Sequence, residues 1–148
     1  MTAIISSFRG DYAFLSNFFP CKIVMDGDIY DSLEHAYQAA KTLDDAERSL
    51  IRSAKSPVRA KRIAHKVSLR PDWEEIKVDL MKSLLRQKFS SPTLKASLLK
   101  TGDAELVEGN SWGDIEWGCV LVGGVWEGKN ILGEALMEIR MELSAKHA

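Results

Sequence analysis

Prolines set the first limit on what this chain can fold into. Two of the four stand directly behind a serine, in Ser56-Pro57 and Ser91-Pro92, and a third heads Pro71-Asp72. Serine is a preferred N-cap, and a proline behind it takes the first helical position, where its missing N–H would have had no partner. Inside a helix or a central strand the same ring would break the hydrogen-bond ladder. The middle of the chain therefore reads as helices that start afresh one after another. One runs from Pro57 to about Lys66, the longest opens at Pro71-Asp72, and one runs from Pro92 to a glycine stop at Thr101-Gly102. In the longest, Trp73, Ile76, Leu80 and Leu84 with Met81, Leu85 and Phe89 make a wide apolar stripe that must pack against a core.

The flanks differ from the middle. The first thirty residues read as β and loop. Lys22–Met25 and Asp28–Tyr30 are joined by Asp26-Gly27, which supplies the positive φ angles of a tight hairpin turn. Phe14-Leu15-Ser16-Asn17-Phe18-Phe19-Pro20 is too aromatic for a solvated loop, and Pro20 stops it from being a helix. Asp44 or Asp45 can cap a short helix to about Ala54, Glu105–Glu108 fits a short strand, and a last amphipathic helix (Leu132, Leu136, Ile139, Leu143) starts near Ile131. The expected fold is α+β, mainly helical: a compact single domain over residues 1–148 with a small β-hairpin or sheet. A net charge of −1 excludes a chain that binds nucleic acid through its overall field, so any anion site must be local. Cys21 and Cys119 have no C-x-x-C spacing and fit a reduced cytosolic protein better than a disulfide. There is no basic leader, and no apolar run of membrane-spanning length. The expectation is a cytoplasmic protein with no membrane partner.

Ser32 to Lys41 is the stretch with chemical content. As a helix it puts Leu33, Ala36, Ala40 and the following Leu43 on one side, and Glu34, Tyr37, Gln38 and Lys41 on the other. Two readings of the polar stripe are open. It is a solvated face, with Asp31 as N-cap and Glu34 reaching back from the third helical position. Or it is a site in which a carboxylate, a phenol, an amide and an amine span two turns, roughly 10–11 Å.

A second informative region is rich in glycine and tryptophan. Trp112-Gly113-Asp114 and Trp117-Gly118 can form a wall for a planar ring, with Asn110 and Asp114 as hydrogen-bonding groups. Equally, these tryptophans can plug the core beneath an irregular loop. Gly128-Lys129-Asn130, ahead of the last helix, can bring amides and an amine to a phosphate, though neither P-loop nor Rossmann spacing is present. The basic run Lys55, Arg59, Lys61, Arg62, His65, Lys66 and Arg70 is either a receiver of phosphorylated or nucleic-acid substrates or a solvated helix face. The histidines show no ligand spacing, so no metal is expected, and no G-x-S-x-G elbow marks a serine hydrolase.

Taken in order, these motifs resemble the YbiA-like or NADAR superfamily over nearly the whole chain. The resemblance rests on Phe14-Leu15-Ser16-Asn17-Phe18, Ser32-x-Glu34-His35-x-Tyr37-Gln38-x-x-Lys41 and Arg70-x-Asp72-Trp73. It continues through Leu98-Leu99-x-Thr101-Gly102, Glu108-x-Asn110-x-Trp112-Gly113-Asp114, Trp117-Gly118 and Gly128-x-Asn130-x-Leu132-Gly133. It implies an N-glycosidase that acts on phosphoribosylamino-pyrimidine intermediates of riboflavin biosynthesis. Its alternatives are a hydrolase that removes ADP-ribose from guanine in DNA and a non-catalytic ADP-ribose or NAD-type binding module. The partners implied are a small phosphoribosyl or ADP-ribosyl substrate or ADP-ribosylated nucleic acid, and no cofactor. In the site it implies, Lys41 is a Schiff-base nucleophile and Glu34 a proton shuttle. Alternatively, Glu34 and Asp114 are a carboxylate pair for direct water attack. Trp112, Trp73 or Phe18 would stack on the base, Asn17, Tyr37, Gln38 and Asn110 would bind substrate, and Arg9, Lys129 and Asn130 would meet phosphate or ribose.

Overall fold

A computed structural model describes residues 2–147, residue 147 by its backbone alone. In chain order the elements are β1 (Ile4–Ile5), a 3₁₀ turn (Gly10–Leu15), β2 (Pro20–Met25), β3 (Asp28–Ser32), α1 (Leu33–Ala39), α2 (Asp45–Arg52) and α3 (Pro57–Ala64). They continue with α4 (Trp73–Lys88), α5 (Pro92–Lys100), β4 (Glu105–Leu106), β5 (Val120–Val122), β6 (Val125–Glu127) and α6 (Ile131–His147). The fold is α+β with small two-stranded sheets. Its contacts fall into two units, Asn17–Lys88 and a second made of the segments up to Ser16 and from Phe89 onward. No helix among the described residues is long and apolar enough to cross a membrane. Cys21 and Cys119 are free thiols.

The Asn17–Lys88 unit is built around α1. Asp26 (φ 51°) and Gly27 (φ 83°) both take the left-handed conformation, so the β2–β3 hairpin turns tightly as expected. The register pairs Ile23 with Tyr30, both buried, and slips between Pro20 and Ile23, where Pro20 cannot donate to the ladder. β3 runs straight into α1. Ser32 is the last strand residue and the N-cap, its hydroxyl accepting from the His35 amide at 3.1 Å. The cap expected at Asp31 is therefore displaced by one residue. Glu34 becomes the second helical residue, and it turns inward instead of reaching back.

α1 packs against β2, β3, α2, α3 and α4, and every side chain from Ser32 to Ala40 is buried. The solvated-face reading of its polar stripe is overturned, because the neighbours cover both sides. His35 acts as a brace: Nε2 lies 3.0 Å from the Ala54 carbonyl and Nδ1 2.7 Å from the Ser32 hydroxyl. Leu43, expected on the apolar side of this helix, lies beyond its end and is exposed. The capping expectations at Asp44 and Ser56 hold, with side chains accepting from the amides of Glu47 and Arg59. α4 buries Trp73, Met81, Leu84 and Leu85 as the stripe requires, but at 16 residues it is one shorter than α6, so the longest helix is the last.

In the second unit β1 and β4 pair in parallel, Ile4 with Glu105 and Ile5 with Leu106, and α6 packs on β4 and on α5. Leu132, Leu136 and Ile139 supply the buried face of α6. Ser91 makes no side-chain cap bond, so Pro92 alone opens α5. The segment expected as strand and loop before Pro20 contains the 3₁₀ turn, whose Leu15 is fully buried. β5 and β6 form a second hairpin around Gly123 (φ 55°) and Gly124 (φ 81°), beyond the one expected at Asp26-Gly27. Gly109 is a close approach: a Cβ there would collide with the Ser6 carbonyl and with the Trp126 ring at 2.7 Å. Trp112, by contrast, is 62% exposed and plugs nothing.

Candidate active site

Glu34 sits one helical turn from Gln38, whose Nε2 donates to Glu34 Oε2 at 2.7 Å. Burial pushes the Glu34 carboxyl above the ordinary carboxylate range, against the pull of that hydrogen bond and of the charges on Lys61, Lys41 and His35. Two acceptors nearby are buried without a protein partner, Gln38 Oε1 and Asn17 Oδ1. Asn17 is tied to the same place, because its carbonyl accepts from the Glu34 amide at 3.0 Å and its Nδ2 lies 3.6 Å from the Met81 sulfur. A buried acceptor that the protein leaves empty asks for a donor from outside. Phe18, the next residue, is exposed.

Lys41 follows the C-cap Ala40, in the turn that ends α1. Its backbone is held from both directions. The Arg70 amide donates to the Lys41 carbonyl at 2.8 Å, and the Arg70 guanidinium reaches the Ala40 carbonyl at 3.5 Å while gripping both oxygens of Asp72 at 2.6 and 3.0 Å. The buried Thr42 donates to Glu47 at 2.6 Å and its carbonyl accepts from Arg48 at 2.7 Å. The Lys41 amine is thereby placed 5.9 Å from the Tyr37 ring centre and 6.0 Å from that of Trp73, the outer limit of a cation–π contact. The two rings pack on each other at 5.1 Å and 59°, and Trp73 is buried.

The Lys41 pKa is lowered, by desolvation first and then by the like charges of Lys61 and Lys77, with Glu34 opposing. Acid and amine are thus both moved toward their neutral forms, the reverse of an ordinary surface ion pair. A protonated carboxyl can give a proton, and a neutral amine can attack an electrophilic carbon. Lys61 on α3 and Lys77 on α4 belong to this cluster, although no motif marked them as members. The available signal was the pair Ala60 and Ala64, whose small side chains let α3 close on α1.

The remaining expected residues lie in the second unit. Arg9 and Lys129 are exposed there. Asn110 donates to the Asp114 and Cys119 carbonyls at 2.8 and 3.1 Å and accepts from the Asp114 amide at 3.0 Å. Asp114 Oδ1 accepts from the amides of Glu116 and Trp117 at 3.1 and 2.9 Å, shaping the loop that carries Trp112 and Trp117. Asn130, in the left-handed conformation (φ 53°), accepts from the Glu108 amide and donates to the Leu106 carbonyl, tying β4 to the start of α6. Among the described residues no three His, Cys, Asp or Glu side chains gather as a metal site would require.

A short buried helix carries an acid and one empty amide acceptor, Gln38 Oε1, with a second on Asn17 beside it and an amine just past its C-terminal end. The chain belongs to the NADAR domain family, whose model matches residues 6–144. It is 42% identical over 137 residues to N-glycosidase YbiA of Escherichia coli (strain K12), covering 90% of this chain and 83% of that one. It is 39% identical over 141 residues to riboflavin biosynthesis protein VVA0006 of Vibrio vulnificus (strain YJ016), covering 93% of this chain and 37% of that longer one. The NMR structure of E. coli YbiA shares the fold, with a TM-score of 0.81 at 38% identity over 99% of this chain and 89% of that one.

Proposed function

We propose that this protein is a cytoplasmic N-glycosidase that breaks the bond between ribose C1 and a nucleobase-like amine, with a phosphoribosylamino-pyrimidine of riboflavin biosynthesis as substrate. The observation that carries the reading is the joint bias of Glu34 and Lys41 toward a neutral acid and a neutral amine around one short helix. The printed names of the relatives, N-glycosidase and riboflavin biosynthesis protein, support the same reaction and setting.

The steps follow from those two groups. Glu34 gives its proton to the ring oxygen, and the glycosylamine opens to an imine at C1. The Lys41 amine adds to C1, and the proton it sheds passes by way of Glu34 to the leaving nitrogen. That nitrogen departs with its bonding pair as the free aminopyrimidine, leaving a Schiff base between Lys41 and the sugar. Water then adds to C1, Glu34 moves the protons, and the C1–Nζ bond breaks to return the amine and release the sugar phosphate. The balance is one C–N bond cleaved by one water. The empty acceptors Gln38 Oε1 and Asn17 Oδ1 are suited to ribose hydroxyls or an exocyclic amine.

A second reading, removal of ADP-ribose from guanine in DNA, is favoured by the basic run. Lys55, Arg59 and Arg62 are exposed on or beside α3, the helix whose Lys61 acts on Glu34 and Lys41. The deciding experiment is turnover of an aminopyrimidine phosphoriboside and of guanine-ADP-ribosylated DNA side by side. Lys41→Ala is expected to lower turnover of the true substrate by orders of magnitude in a folded protein, and borohydride should trap the sugar on Lys41 in the parent. A near-normal rate in Lys41→Ala would remove the lysine from the chemistry. Tight ADP-ribose binding without turnover of either substrate would make the protein a binding module.

A further inference from the structure

Two amides in the Asn17–Lys88 unit are satisfied at one end only. Gln38 is 3% exposed, and its Nε2 donates to Glu34 Oε2 at 2.7 Å. Asn17 Nδ2 lies 3.6 Å from the sulfur of the buried Met81. A thioether has no hydrogen to give, so the amide nitrogen belongs on that side and Oδ1 is turned away from it. The two oxygens, Gln38 Oε1 and Asn17 Oδ1, are buried and have no protein partner. An amide kept only to brace the helix would have both ends filled, because an unmet buried acceptor costs folding free energy.

Both amides are held beside the acid. The Asn17 carbonyl accepts from the Glu34 amide at 3.0 Å, at the second residue of α1. Gln38 stands one turn further along the same helix, joined to Glu34 by its own side chain. In the N-glycosidase reaction Glu34 serves the ring oxygen of the sugar. C1 is bonded to that oxygen on one side and to C2 on the other. An amide hydrogen-bonded to the acid therefore faces the hydroxyl on C2, and the hydroxyl on C3 follows along the same rim. A base amine is the other donor that two acceptors could take. It lies across the bond that breaks and departs with the base, whereas the sugar stays beside Glu34 until the last step.

We propose that Gln38 Oε1 and Asn17 Oδ1 accept from the hydroxyls on C2 and C3 of the substrate ribose, so that the site takes ribosides and rejects 2-deoxyribosides. The proposal rests on the N-glycosidase reading, since the hydroxyls belong to the sugar whose C1 is attacked. It fixes the sugar and leaves the base open. An aminopyrimidine phosphoriboside and an ADP-ribosyl group on guanine both carry ribose at the scissile bond, while the nucleosides of DNA carry 2-deoxyribose. A site of this kind leaves the bases of DNA on their own sugars. When the C2 hydroxyl is missing, Gln38 Oε1 is covered by substrate and still has no donor, and that loss persists into the transition state.

The test compares turnover of the aminopyrimidine phosphoriboside with that of its 2-deoxy and 3-deoxy analogues in the parent, Gln38→Met and Asn17→Leu. The parent is expected to favour the riboside over each analogue about 10- to 100-fold in kcat/KM. Gln38→Met slows every substrate, because Glu34 loses its donor, and brings the 2-deoxy ratio close to 1. Asn17→Leu does the same to the 3-deoxy ratio. A parent that treats riboside and 2-deoxyriboside alike overturns the proposal. So does a Gln38→Met variant that slows both by the same factor, the behaviour of a residue that only braces Glu34. Calorimetry with ribose 5-phosphate and 2-deoxyribose 5-phosphate reads the same preference in the parent without turnover or a variant, and equal affinities also overturn it. A parent that prefers ribose 5-phosphate yet cleaves no riboside sinks the N-glycosidase reading and leaves the ribose site standing.

Discussion

Replacing Lys88 with methionine should stabilise the protein at neutral pH and change how its stability depends on pH. Lys88 is the last residue of α4, 2% exposed, with its amine 5.7 Å from the Phe19 ring centre. Burial lowers its pKa from 10.5 to about 8, and Cys21 pushes back only weakly. That gap of about 2.5 pH units, at about 1.4 kcal/mol per unit, means the protonated amine costs the folded state about 3 kcal/mol. The cost is fully present below pH 8. Between about 8 and 10.5 the unfolded chain holds more protons than the folded one, so stability rises with pH and the cost disappears. From pH 7 to pH 10 the relief amounts to about 2.5 kcal/mol. Methionine keeps the apolar stem and removes the titration, at the expense of whatever hydrogen bonds the amine makes, about 1 kcal/mol. The variant should therefore be about 1–2 kcal/mol more stable at pH 7, and the parent should catch up by pH 10. Urea unfolding of both proteins at pH 7, 8, 9 and 10 reads this directly, because titrating groups other than Cys21, which is coupled to Lys88, cancel in the difference. A parent-to-variant difference that stays constant over that range would refute the reasoning.

Glu34→Gln should lower kcat about 10²- to 10⁴-fold, as loss of a positioned acid does. Because burial raises the Glu34 pKa, the parent loses stability relative to the glutamine variant as pH rises above the ordinary value of 4.5. Melting curves at pH 4.5 and 8 should show the variant gaining at the higher pH. Arg70→Ala frees the peptide that pins Lys41 and should lower kcat about tenfold with KM little changed, and Arg70→Lys should restore little, since lysine cannot grip both Asp72 oxygens. Steady-state kinetics on the folded variants decide it. Gly133→Ala tests a close approach at the head of α6, where a Cβ would meet the Leu106 carbonyl and the Asn130 side chain. The collision should outweigh the roughly 1 kcal/mol that alanine gains in helix propensity and destabilise by about 1–3 kcal/mol in denaturant titration.

Much of the fold was legible because its signals act over a few residues. Pro57 behind Ser56 starts a helix by fixing its own φ and supplying a cap, and Asp26-Gly27 turns a hairpin by tolerating positive φ. Gly123-Gly124 between Val-Leu-Val and Val-Trp-Glu carries the same local signal, two glycines that tolerate positive φ between β-branched runs. The polar stripe of α1 was equally visible, but its meaning was not. Whether Glu34 meets water or is sealed in depends on α2, α3 and α4, which arrive later in the chain.

The local sequence by itself determined where helices and turns begin and which residues carry titratable or nucleophilic groups, since caps, prolines and glycines act on the backbone beside them. Only the tertiary structure decided that an acid and an amine at the two ends of α1 are moved toward neutrality, that Lys61 and Lys77 join them, and that Asn110, Asp114 and Asn130 serve their own backbone. Desolvation and charge–charge coupling depend on distances in space, and those distances exist only once segments remote in the chain have packed.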